Sequence, residues 1–324
     1  MKLKDIFGQP EADSVTAETR ITQPKTFSKF LLEDVSDDDF DEIYEARYEG
    51  KISELSPERH KLVRQNEAEA AEWHAKNPVH HDNIIKHYNQ ATAEERHNGH
   101  TWYSDAHHMA KVISKDTNTP MHIVAGLISN YSPQTQWHTN IMTASKVARE
   151  KRALGGKGSG VFADERQKAA AHRLLNGEHY NQVIKGQKTH AFAHLIEHGG
   201  NKEPDKPHVV VDRHAYSVAA GSRITDAAFG QTKLKTKKGY GAVADAYHKA
   251  AKHLSEQHGV AIHPHQVQAT TWLVRQRLNS DEEHQAGLKR NTKKASNTQK
   301  TKWDSYAKEH HPALVGKVPG TGYD

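Results

Sequence analysis

Residues 174–221 read LLNGEHYNQVIKGQKTHAFAHLIEHGGNKEPDKPHVVVDRHAYSVAAG. The first half predicts two short helices, His179 to Ile184 and Gln187 to His198, about a tight Lys185-Gly186-Gln187-Lys188 turn, with the second helix under way by Thr189. A glycine there lets the backbone approach a ligand closely and take positive φ. The exposed N–H groups and the N-terminal dipole of the second helix suit a phosphate. A linker with Gly199-Gly200-Asn201-Lys202-Glu203-Pro204 follows, then Val211-Asp212-Arg213-His214, where Asp212 opens a helix to Ala220.

Helical periodicity spreads outward from this hairpin. Ser56-Pro57-Glu58 supplies a cap, a first-position proline and an early acid for a helix to about Lys76. Between Tyr103 and Arg152, openings are expected at Ser104-Asp105, Thr119-Pro120 and Ser132-Pro133. Further helices are expected at Ala163 to Leu175, Tyr240 to Gln257 and Pro264 to Leu278. The one strand-like run, His208-Val209-Val210-Val211, is too isolated to build a sheet. The chain therefore reads as all-α. Four segments are expected: a mobile acidic arm (1–50), a helical extension (51–100), a helical core (101–280) and a basic irregular tail (281–324). Gly155 to Gly160 reads as a flexible joint, because it lacks the preceding strand and Gly-Lys-Ser/Thr order of a phosphate loop.

Composition narrows the function. With 324 residues the chain can bury a substantial core. The mean hydropathy is −0.89, and no apolar run approaches the roughly 18 to 20 residues of a membrane span. Residues Met1 to Asp5 do not open a secretory signal. Zero cysteines exclude disulfides, thiolate metal sites and a cysteine nucleophile, and fit a reducing compartment such as the cytoplasm. The net charge of +5 hides an acidic arm of −7 and a body of +12. Leu288 to Lys302 adds six Lys/Arg without an acid. Such a body, with 26 histidines that can gain charge in acid, points to a polyanionic partner.

Three elements occur in order: Leu127-Ile128-Ser129-Asn130-Tyr131-Ser132-Pro133-Gln134, the hairpin with Lys188-Thr189, and Val211-Asp212-Arg213-His214, whose aspartate lies twenty-four residues beyond the lysine. This order resembles the helix-hairpin-helix DNA glycosylase superfamily over at most residues 102–278. The set WYSDAHHMA, SPQTQW, KGQKTHAF, VVVDRHA, YGAVADAY and HPHQVQATTWLVR is more closely similar to an uncharacterised, mainly phage-encoded family. The superfamily resemblance implies that Asp212 activates a nucleophile and stabilises charge on the sugar. It implies that Lys188 attacks C1′ in a bifunctional enzyme, and that Gln134 fills the gap left by a flipped base. Gly186 and Thr189 would hold a phosphate, with Lys185, Arg213 and His214 as further contacts. Double-stranded DNA is the implied partner, and no cofactor or metal is called for. The chain departs from the superfamily pattern in its single hairpin glycine, its longer linker and Arg213 in place of threonine.

Competing readings exist. Asp212 also suits an N-cap, Lys188 a plain phosphate contact, and His214 a hydrogen bond to backbone. Trp102, Trp137 and Trp272 read as core. The segment Thr26 to Glu33 resembles capsid-targeting peptides of phage internal head proteins, which gives a non-catalytic binder inside a phage capsid as an alternative. His190, His194 and His198 line one helical face, and His194-Leu195-Ile196-Glu197-His198 matches an inverted zinc-protease pattern, a metal-dependent hydrolase being the third reading.

Overall fold

The computed structural model describes residues 53, 55–133, 135–155, 163–200, 208–285 and 292–320. The acidic arm, the Thr26 to Glu33 segment, Gln134, Gly156 to Gly160 and the Asn201 to Pro204 part of the linker lie outside them. The described residues form α-helices and short 3₁₀ turns without a strand, so the fold is all-α. Contacts divide the chain into units 1–65 and 66–324. Helix α1 (Pro57–Lys76) starts in the first unit, where Ser56 Oγ accepts the Arg59 N–H.

The rest belongs to the second unit. It comprises α2 (His81–Tyr88), α3 (Ala93–Thr117), α4 (Met121–Asn130), α5 (Trp137–Glu150), α6 (Glu165–Leu175), α7 (Tyr180–Val183), α8 (Gln187–His198), α9 (Arg213–Ala220), α10 (Asp226–Gly230), α11 (Lys237–His258), α12 (Pro264–Gln285) and α13 (Thr292–His310). One hydrophobic cluster joins Met109, Ile113, Leu127, Ile128, Ile141 and Leu174 of α3 to α6. A second joins Tyr88, Val209, Val211, Val218, Tyr247 and Val267 of α2, α9, α11, α12 and the extended run before α9.

Helix α3 adjoins both clusters, and Gly99 sets how closely it meets α12. A Cβ at Gly99 would lie 2.5 Å from the Thr270 Cα, nearer than side chains approach a backbone. Four residues along, the Tyr103 hydroxyl donates to Gln268 Oε1 at 3.0 Å, a buried bond that fixes the register of the crossing.

Two expected helix openings move. Helix α3 starts behind Thr92, whose side chain and that of Glu95 form a reciprocal capping box. Ser104-Asp105 falls mid-helix, with Ser104 Oγ bonded to the Thr101 carbonyl. Helix α5 starts behind Gln136, not at Ser132-Pro133, because Ser132 Oγ bonds back to the Ser129 carbonyl and closes the end of α4. The strand-like run 208–211 is extended but unpaired in any sheet.

The tail is not irregular. Helix α13 carries Trp303 and Ala307 into the first cluster, with Leu314 beyond, all fully buried. His311, also fully buried, bridges Ser145 Oγ of α5 at 2.6 Å and Asp116 Oδ2 of α3 at 2.7 Å. A neutral imidazole satisfies both if Nδ1–H donates to the carboxylate and Nε2 accepts the serine hydroxyl. Serine, imidazole and carboxylate in this order belong to acyl-transfer nucleophiles. Here the serine oxygen is sealed inside a helix interface, so the relay is a fastener for the C-terminal segment.

Gly99→Ala is expected to destabilise the protein by about 1–3 kcal/mol, since the α3–α12 approach must widen; a denaturant midpoint within error of wild type would contradict the crossing. Trp303→Ala should cost about 3–5 kcal/mol. Its amide exchange should rise first in 292–310, before α3 and α4.

Candidate nucleic-acid and catalytic site

The hairpin forms as the sequence requires. Helices α7 and α8 flank Ile184-Lys185-Gly186, and their antiparallel packing is tied at two points. Tyr180, buried on α7, donates its hydroxyl to Glu197 Oε2 at 2.7 Å, and Asn181 Oδ1 meets His190 Nε2 at 2.9 Å. Ser129 Oγ of α4 donates to the Thr189 carbonyl, fastening the hairpin to the first cluster.

Gly186 is the N-cap of α8, and no side chain caps the helix. Its φ is −71°, so the expected positive φ does not occur. A side chain there would meet the Thr189 Oγ1 at 2.8 Å, which is itself donating to the Gly186 carbonyl. The glycine therefore keeps the turn bare. Helix α8 begins at Gln187, as expected for the Gln187 to His198 helix, with no side-chain cap at its start and exposed Lys185 beside it. Lys188 is half-buried and has no hydrogen bond or ion pair among the described residues.

The far end of the hairpin closes on two glycines. Gly199 ends α8 at φ +68°, and Gly200 continues at φ +109°. A Cβ at Gly200 would come within 2.7 Å of His265 Nε2, so only glycine lets the hairpin reach α12 here. These residues, expected to open a linker, are a packing device.

Asp212 caps α9: its Oδ1 accepts the Ala215 N–H at 2.8 Å. The other oxygen, Oδ2, has no hydrogen-bond partner among the described residues. Around it stand three buried tyrosines. Tyr240 donates to the Val209 carbonyl at 2.7 Å and accepts the Val211 N–H at 3.0 Å, holding straight the run that delivers Asp212. Tyr103 and Tyr247 flank from α3 and α11. Burial first, and the Asp212 charge with it, pushes all three phenols up.

His214, one turn position on, gathers the site. Burial lowers its pKa most; the Asp212 carboxylate opposes that, and the Arg275, Arg213 and Lys188 charges reinforce it. No hydrogen bond or ion pair joins Lys188 to Asp212 among the described residues. Arg213 turns elsewhere: its guanidinium donates to the Ile224 carbonyl at 3.1 Å and lies 5.3 Å from the Phe229 ring centre. It holds α9 to α10 rather than lying open as a phosphate contact. Gln134 lies outside the described residues.

Several members of this neighbourhood escape the sequence reading. His265, Gln268, Thr271 and Arg275 are buried on α12 at spacings of three, three and four, a polar stripe inside a helix otherwise facing the core. A buried arginine on a core face was the available signal. Trp102 and Trp137 are partly buried at the edge of the first cluster, with ring centres 5.2 Å apart. Trp272 is half-buried, and the fully buried tryptophan is Trp303.

The metal-hydrolase pattern does not assemble. Glu197 receives the Tyr180 hydroxyl, and His194 stacks between His198 and His208 at 4.2 and 4.1 Å. Among the described residues only His80, His81 and Asp82 bring three ligand atoms within 4.8 Å of one another. A depression of about 440 Å³ between α5 and α13, lined by Met142, Lys146 and Tyr306, contains none of the expected site residues.

Three imidazoles near the hairpin and α12 are kept neutral. Burial, with Arg275 and Arg277, lowers His87 to about 4. Burial, with His194, His190 and His198, lowers His208 to about 4. Burial, with His263 and His100, lowers His265 to about 3. Each binds a proton near 6.5 when unfolded. Their contribution is therefore complete above about pH 6.5 and is lost as pH falls from there towards 4 and 3. Denaturant unfolding followed from pH 7.5 to 4.5 should show uptake of at least about three protons near pH 5, reduced by about one in His265→Gln. A flat profile across that range would contradict the burial of these rings.

No described helix is long and apolar enough to cross a membrane. No curated protein and no solved structure matches the chain. A family of unknown function (DUF7178) matches residues 67–279, the span holding the hairpin, Lys188, Asp212 and the tyrosines around it, and the chain belongs to that family.

Proposed function

We propose that the protein binds DNA through the α7–α8 hairpin and assists cleavage of an N-glycosidic bond, in the manner of the helix-hairpin-helix glycosylases it resembles. The observation that carries this reading is geometric: a hairpin whose second helix starts without a side-chain cap, and an Asp212 whose Oδ1 caps α9 while Oδ2 has no hydrogen-bond partner among the described residues. The N–H groups of Gln187, Lys188 and Thr189, which no side chain caps, bind a backbone phosphate, with Lys185 supplying unspecific attraction.

As the C1′–N bond breaks, its electron pair leaves with the base and positive charge grows on the sugar. The Asp212 carboxylate stabilises that charge and takes a proton from the attacking water. Its Oδ1 remains engaged in the cap, so Oδ2 performs the task. In a lyase branch the neutral Lys188 amine replaces water at C1′ and gives up a proton to the Asp212 carboxylate, and the C1′–O4′ bond then opens, its electron pair going to O4′, as the Schiff base forms.

A second reading is favoured by the same Ala215 hydrogen bond. A caps-only Asp212 leaves a phosphate-binding hairpin without chemistry. Asparagine caps a helix about as well as aspartate, whereas alanine costs about 1 kcal/mol. Asp212→Asn therefore separates the two roles. The enzyme reading expects wild-type melting temperature with base release from damaged or modified duplex DNA reduced at least a hundredfold. Equal release by both proteins, or none by either on any substrate tried, returns Asp212 to a purely structural role. Borohydride trapping of wild type but not of Lys188→Gln would establish the lyase branch.

A further inference from the structure

The segment 232–240, TKLKTKKGY, places four lysines, Lys233, Lys235, Lys237 and Lys238, within six positions. All four are exposed. Lys237 and Lys238 occupy the first turn of the 22-residue α11, with no acid beside them in that turn. Cations are disfavoured at that end of a helix, because they meet the positive pole of its dipole. Lys233, Lys237 and Lys238 have no ion pair among the described residues. The concentration of charge works against local stability, so its use lies outside the chain.

The loop is also held rigidly. Leu234 points inward to the second cluster while its neighbours point out. Thr236 Oγ1 donates to the Lys233 carbonyl at 2.8 Å and accepts the Gly239 N–H at 3.0 Å. A Cβ at Gly239 would stand 2.2 Å from the Lys233 carbonyl oxygen, so the loop closes as tightly as a glycine permits. One residue further, Tyr240 bonds the backbone on both sides of Val210, immediately ahead of Asp212. The lysine loop is therefore anchored to the segment that carries the Asp212 carboxylate.

We propose that the Lys233–Lys238 loop is a second phosphate contact for the strand whose sugar lies at Asp212, gripping the backbone from the side opposite in sequence to the α7–α8 hairpin. This rests on the DNA-binding reading and extends it: the hairpin supplies directed N–H groups, and the loop supplies charge. Such contacts position a nucleic acid without reading its bases. Neutralising each contacted phosphate releases counterions and steepens the salt dependence of binding.

The test is binding of fluorescently labelled duplex DNA between roughly 50 and 200 mM salt. Four proteins are compared: wild type, Lys237→Gln/Lys238→Gln, the charge-matched control Lys249→Gln/Lys252→Gln on exposed positions of the same helix, and the hairpin variant Lys185→Gln. The control lies about 16 Å or more along α11, from the rise per residue. The expected result is a salt slope shallower by about 1 to 2 and affinity lowered by about tenfold for the loop variant, with the control close to wild type. Equal losses in loop variant and control reduce the effect to net charge and overturn the proposal, as does a loop variant that binds like wild type. In either case the hairpin reading survives if Lys185→Gln is weakened. If the loop variant alone is weakened, the loop stands and the hairpin reading falls. Wild type that does not bind DNA at all removes both.

Discussion

Helices α3 and α12 meet backbone to backbone at Gly99 and Thr270, too closely for a Cβ at Gly99. A methyl group at Gly99 would hold the helices apart, and with them the two hydrophobic clusters that α3 and α12 adjoin. The Tyr103–Gln268 bond one turn away selects a single register for that crossing. The site inherits its geometry from this contact. Helix α3 brings Tyr103, α12 brings Arg275, and the hairpin end reaches α12 through Gly200. Separating α3 from α12 would detach the surroundings of Asp212 from one another without touching Asp212 itself.

Burial then sorts the charges. The chain carries 26 histidines, which the composition alone reads as a reserve of positive charge. The fold withdraws several of them from that role. His87, His208 and His265 are held neutral mainly because burial penalises the imidazolium, and neighbouring cations reinforce the effect. At the hairpin and at the start of α11 the exposed cations among the described residues are lysines, Lys185 and the Lys233–Lys238 group. The arginines near the site serve the fold instead. Arg213 holds Ile224, and Arg277 pairs with Glu95 at 2.8 Å across α12 and α3. A flexible, hydrated ammonium suits a mobile strand; a planar guanidinium suits fixed internal acceptors.

Most helices were legible because their apolar positions recur at helical spacing between recognisable caps. Asp212 before Arg213 and Gly186 before Gln187 are local signals, and both helices begin where those signals put them. Ser104-Asp105 misled because a capping pair in the sequence does not act as one when an upstream box, Thr92 with Glu95, has already started the helix. The C-terminal helix was hidden by its composition: α13 buries Trp303 and Ala307 amid lysines, too few apolar positions for a period to emerge. The surroundings of Asp212 were illegible for a different reason. Tyr103, Tyr240, Tyr247 and Arg275 meet there from three helices, and no spacing along the chain encodes a meeting in space.

The capping role of Asp212 and the catalytic role proposed for it do not compete. A capping aspartate is held by one oxygen, which fixes the orientation of the other; here Oδ1 receives the Ala215 N–H and Oδ2 has no donor among the described residues. Catalytic carboxylates need this kind of preorganisation, because a group that must reorient in the transition state forfeits part of its electrostatic advantage. The cap supplies orientation, Tyr240 fixes the approaching backbone, and buried phenols surround the charge with a poorly solvated wall. A cap in that setting is the mechanical basis on which a reactive carboxylate can be built, and the same cap would persist unchanged in a relative that had kept only the binding. The structural role of Asp212 therefore says nothing against chemistry at Oδ2, and the charge it presents, more than its presence, is what separates enzyme from binder.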